Sequence, residues 1–214
     1  PANLKPIGTG PFIFKEYVKG DHITLVKNPN YWKKDKPYLD QIIYRIIPDN
    51  AARHLAFENG EIDYIPMFHT TYFDASRLQD SPKAFVSVGN IIQFCVRILL
   101  LKTTDPVTGS LKVRQAIAHA VDREGIVRAT TFGMAELTST NFASKSWWYS
   151  KEAGEKFPKY NPALAEKLLD EAGYRRKADG KRFTLLFIAF TAQDGAKIAE
   201  LVKDDLTKVG IDVK

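Results

Sequence analysis

The chain has 214 residues, of which 44% are apolar, and its 31 basic and 25 acidic side chains leave a net charge of +6. That length and apolar content suffice for a buried core in one or two domains and favour a folded chain over a disordered one. The basic residues fall in separate loops (Lys33, Lys34 and Lys36; then Arg175, Arg176, Lys177, Lys181 and Arg182), so solvated loops account for them better than a nucleic-acid surface. No apolar run approaches the ~20 residues of a membrane span, and the single Cys95 permits no internal disulfide.

The first motif is Gly8-Thr9-Gly10-Pro11-Phe12, a turn followed by a straightening chain. Residues 12–18 and 22–27 read as strands, with Lys19-Gly20-Asp21 between them as the turn of a hairpin. Asn28-Pro29-Asn30-Tyr31-Trp32 then stops the second strand, because Pro29 has no ladder donor. The β-branched run 41–47, ended by Pro48, predicts a largely buried strand. Asp49 or Asn50 caps a helix over 51–59 with Leu55 on its inner face, and Gly60 ends it. Residues 61–65 read as a strand, which would make a βαβ crossover. A helix over 70–78 and a strand over 84–88 follow.

Residues 91–102 form the most apolar stretch, and their β-branched content favours a strand. Val113, Ala116, Ile117, Ala120 and Val121 have helical spacing, so 113–121 predicts an amphipathic helix, and Asp122 caps a second short one over 124–128. In Tyr160-Asn161-Pro162, Asn161 caps, Pro162 takes the first helical position, and Gly173 closes a helix over 162–172. A strand over 183–190, a helix over 196–209 and a strand from Ile211 complete a further βα unit.

These segments, in this order, resemble the peptide and nickel class of extracellular solute-binding proteins that serve ABC transporters. The resemblance rests on GTGPF, NPNYW, Leu39-Asp40 before an apolar run, the run VRQAIAHAVDREGIV from Val113 to Val127, and YNPALAEKLLDEAGY from Tyr160 to Tyr174. It covers nearly the whole chain. It implies an α/β fold: part of a type II, two-lobe periplasmic-binding-protein-like architecture. Residues 1–96 would belong to the large lobe beside the hinge and 97–214 to the first half of the C-terminal lobe. The chain is then expected to be an internal fragment, without the small N-terminal subdomain and the rest of the C-terminal lobe. The resemblance departs at Ile98-Leu99-Leu100, where such proteins usually carry a polar residue.

No catalytic set is legible. His22, His54, His69 and His119 lack metal-site spacing, Cys95 reads as an inert buried thiol, and neither a nucleophile elbow nor a phosphate-binding loop occurs. A non-enzyme without cofactor or metal is expected, an α/β metabolic enzyme being the competing reading. Trp147-Trp148-Tyr149 stands apart, since three consecutive aromatics cannot share one core face. Trp147 and Trp148 either wall a ligand cleft or anchor the loop. Phe94 and Arg97 flank the implied hinge, where an aromatic can wall the cleft and a guanidinium can meet a carboxylate or form an interlobe ion pair. The resemblance implies a monomer at the periplasm or cell surface. Its ligand would be a peptide, or another solute of the class such as a nickel complex, heme, sugar or opine, and its partner a membrane permease.

Overall fold

The computed structural model describes residues 6–66, 69–82, 84–87, 96–190 and 194–214. The chain divides into two compact units, residues 1–69 and 70–214. The lobe boundary expected near residue 97 concerns a longer protein and is a separate matter; residues 88–95 just before it lie outside the described residues.

The first unit is an antiparallel sheet of β1 (Phe12–Val18), β2 (His22–Lys27) and β3 (Gln41–Arg45), with β2 central. The hairpin forms where the sequence places it. Its turn depends on Gly20, which at φ 80° holds a left-handed backbone that a side chain would oppose. Pairing passes from Phe14–Leu25 to Glu16–Thr24, so Lys15 is an extra residue on β1, a bulge. Asn28 ties the two opening motifs together: its side-chain amide donates to the Gly10 carbonyl at 2.9 Å, and its backbone N–H donates to that of Pro11 at 2.9 Å.

Three expectations fail in this unit. β3 is not buried, and Ile43 and Tyr44 are both about half exposed; among the described residues β3 is an edge strand, paired to β2 alone. The helix α1 (Asn50–Glu58) forms and Asp49 caps it, accepting from the Ala52 N–H at 2.8 Å. Leu55, however, faces solvent, while His54 and Ala56 are buried. Polar groups claim the inner side: His54 Nδ1 lies 2.7 Å from the Asn50 carbonyl, and Arg53 donates to the carbonyls of Ile47, Pro48 and His69. Residues 61–65 form no strand, so there is no βαβ crossover. The Glu61 N–H is engaged by the Ala56 carbonyl at 2.8 Å, and both edges of β2 are already taken.

The second unit holds α2 (Tyr72–Gln79), α3 (Leu111–Ala120), α4 (Arg123–Thr131), α5 (Lys151–Glu155), α6 (Pro162–Glu171) and α7 (Gly195–Lys208), with β4 (Phe183–Leu185) paired in parallel to β5 (Ile211–Val213). The helical periodicity of 113–121 becomes its core. Val113, Ala116, Ile117 and Ala120 of α3 meet Ala165 and Leu169 of α6, joined by Val202 and Leu206 of α7 and by Ile211 and Val213. Alanines at 116, 120 and 165 let the helix backbones approach closely. The caps of α4 and α6 form as expected, Asp122 accepting from Gly125 at 2.8 Å and Asn161 from Leu164 at 3.0 Å.

Arg182, from the basic loop read as solvated, is instead buried. Its guanidinium donates to Asp170, to the Tyr174 carbonyl at 2.6 Å and to the Val209 carbonyl at 2.9 Å. A buried cation is tolerated only when its donors are met in this way. The strand expected over 183–190 stops at Leu185; beyond it the ladder continues through the Lys214 N–H to the Leu185 carbonyl at 3.0 Å and the Phe187 N–H to the Lys214 carbonyl at 2.8 Å. Residues 84–87 and 96–102 form no strand, and the remainder of the strands expected at 84–88 and 91–102 lies outside the described residues.

Candidate ligand-contact site

The segment between α4 and α5 carries the aromatics, and an arginine of the VRQAIAHAVDR motif holds it. Arg123 is partly buried, with its guanidinium 4.0 Å over the Phe157 ring. It donates to the carbonyls of Thr138 at 3.4 Å and Pro158 at 3.1 Å, so one side chain at the start of α4 ties this segment to the chain just past α5. Burial draws its pKa below the ordinary guanidinium value, although the charge is kept.

Local hydrogen bonds fix the segment further. The hydroxyls of Thr138 and Thr140 both donate to the Phe142 carbonyl, at 2.6 and 3.0 Å. Ser146 is buried, and its hydroxyl accepts from the Trp148 N–H at 3.3 Å. Ser150 caps α5, accepting from the Ala153 N–H at 3.2 Å. This short helix was not anticipated; its sequence signal is the Ser150 cap followed by Lys151 and Glu155 four apart.

The three consecutive aromatics separate. Tyr149 turns onto α5, where its hydroxyl occupies the space that a Cβ at Gly154 would need. Trp148 lies between two rings, with its centroid 4.2 Å from that of Trp147 and 5.6 Å from that of Phe142. Trp147 is 73% exposed, Trp148 47% and Phe142 37%. The result is a tilted ladder of three rings on a hydrogen-bonded loop, with Trp147 outermost. The sequence points to the two tryptophans but not to Phe142, which only the loop's fold brings beside them.

Of the other residues singled out, Arg97 is exposed and Phe94 lies outside the described residues. His119 Nδ1 lies 2.7 Å from the carbonyl of Lys159, just ahead of α6. His22 Nδ1 lies 2.7 Å from Asp21, and this contact raises its pKa. Among the described residues no group of three or more histidine, cysteine or acidic side chains could hold a metal ion.

Folds of this kind are those of periplasmic binding proteins. NikA from Brucella suis, in complex with Fe(III)-EDTA, superposes with a TM-score of 0.81 at 35% identity over 98% of this chain and 43% of that one. DppA from Helicobacter pylori, in complex with the peptide STSA, gives 0.80 at 30% identity over 98% and 38%. The chain belongs to the bacterial extracellular solute-binding proteins, family 5, matching the middle region of that family over residues 1–214. The oligopeptide-binding protein AppA of Bacillus subtilis (strain 168) is 31% identical over 98% of this chain and 39% of its own length. The chain thus spans about two fifths of the length of such relatives.

Proposed function

We propose that these residues are part of the substrate-binding component of an ABC importer, which captures di- or oligopeptides between two lobes and delivers them to a membrane permease. The observation that carries this reading is the family match along the entire chain, with peptide-binding proteins among the relatives. Residues 1–96 contribute to one lobe and 97–214 to the other, and Phe94 and Arg97 flank the hinge. Trp147 and Trp148 wall the cleft. Capture needs no covalent step: ligand bound between the lobes stabilises the closed state by its differential contacts, and the permease recognises that state. The protein then works outside the cytoplasmic membrane, in the periplasm or at the cell surface, as a binder and not as an enzyme.

A second reading is favoured by one observation: the NikA structure, at 35% identity, holds a metal chelate. The test is mass spectrometry, with metal analysis, of whatever is released when the full-length protein is purified from its source and mildly denatured. Peptides of defined length are the expected result. Stoichiometric metal with a small chelator would replace peptide by the second reading.

A further inference from the structure

The three-ring ladder is not symmetric, and its asymmetry says what it can receive. Trp148 has a ring neighbour on each side, Trp147 and Phe142. Trp147 has Trp148 as its one ring neighbour among the described residues and is the most exposed of the three. Arg123, Thr138, Thr140 and Ser146 fix the loop beneath it through the hydrogen bonds given above. An indole already backed by a second indole loses little freedom when a third planar group lies on it, so stacking there carries a small entropic cost.

A ring face attracts either another ring or a cation. The acidic side chains of this loop and of α5 that could assist a cation are already met by lysines: Glu136 lies 4.0 Å from Lys145, Glu155 3.9 Å from Lys151, and Glu152 2.6 Å from Lys156. A neutral aromatic group fits these surroundings better.

We infer that Trp147 is a specificity-determining residue whose open indole face receives an aromatic side chain of the bound peptide, an assignment that rests on the peptide-binding reading above. Trp148 and Phe142 serve as its backing. The site therefore prefers a phenylalanine or tyrosine at one peptide position over an aliphatic residue of similar size.

The test is calorimetry on the full-length protein with alanine tripeptides carrying phenylalanine or leucine at each position in turn. The wild type should prefer phenylalanine at one position by about 2- to 10-fold, the range of an added aromatic pair. Trp147→Ala should bring that ratio to about 1, and Trp147→Phe should retain most of it. Thermal melts of both variants separate lost recognition from lost folding, and at its high exposure Trp147 should alter the melt little. Tripeptides that bind with no aromatic preference, or a preference that survives Trp147→Ala, would overturn this inference and leave the peptide reading intact. No binding of any tripeptide to the wild type would overturn this inference, and mass spectrometry of the released ligand then decides the peptide reading separately.

Discussion

Individual side chains in this chain act mostly by holding backbone, and their energetics follow from what they hold. Asp105 accepts the N–H groups of Val107 and Thr108 at 2.8 and 3.1 Å, closing the loop ahead of α3. The Thr108 amide first, then that of Val107, stabilises the carboxylate and lowers its pKa. Because the folded-state value lies below the unfolded one, the stability this group adds is complete above the ordinary aspartate pKa of about 3.9 and is lost as pH falls through the lowered value. Urea unfolding of the wild type and Asp105→Asn between pH 6 and 3 should therefore show a gap that narrows below about pH 4. A gap constant across that range would remove the charge from the account. Arg182 works differently: as a buried cation bonded to Asp170 and two carbonyls, it links α6 to the turn before β5 through donors that water cannot reach.

The core of the second unit is built mainly from helix side chains, with Ile211 and Val213 of β5 closing it. Leu169 on α6 is fully buried against α3, in a layer whose alanines leave no slack for rearrangement. Leu169→Ala should destabilise the chain by about 2–5 kcal/mol in denaturant unfolding. Leu186, just past β4 and 80% exposed, gives the contrast: Leu186→Ala should stay within about 0.5 kcal/mol. Equal losses would mean that the layer between α3 and α6 is not the core. Where the sequence reading of an element succeeded, a local device was present: Asp49, Asp122 and Asn161 each cap the helix that follows, and Gly20 makes the hairpin turn. Where it failed, as at 61–65, β-forming composition was present while both edges of β2 were already paired, and composition cannot supply the ladder partner.

The relatives whose ligand complexes are known are more than twice as long as these residues, the chain covering 43% and 38% of two such structures. On the proposed two-lobe reading, a ligand enclosed between the lobes would draw on residues beyond a segment of this size. Residues 1–214 alone should then bind peptides weakly or not at all, while the longer protein binds them, because fewer contacts distinguish a closed from an open state. Calorimetry with one peptide library on both would show it. Matching affinities would place the site wholly within these residues.

Family, fold class and most helices were legible in the linear chain because they rest on local chemistry: caps within three residues, apolar positions at helical spacing, and turn residues that suit a left-handed backbone. The two tryptophans were legible for the same reason, as an aromatic cluster no single face could absorb. Three-dimensional packing alone settled the rest. It buried Arg182 and left Leu55, Ile43 and Tyr44 in solvent. It set Phe142 behind Trp148 and gave Arg123 the task of holding the aromatic loop. The contacts of Arg182, Arg123 and Phe142 reach 6 to 35 residues away in sequence, and periodicity carries no information about which distant carbonyl or ring a side chain will meet.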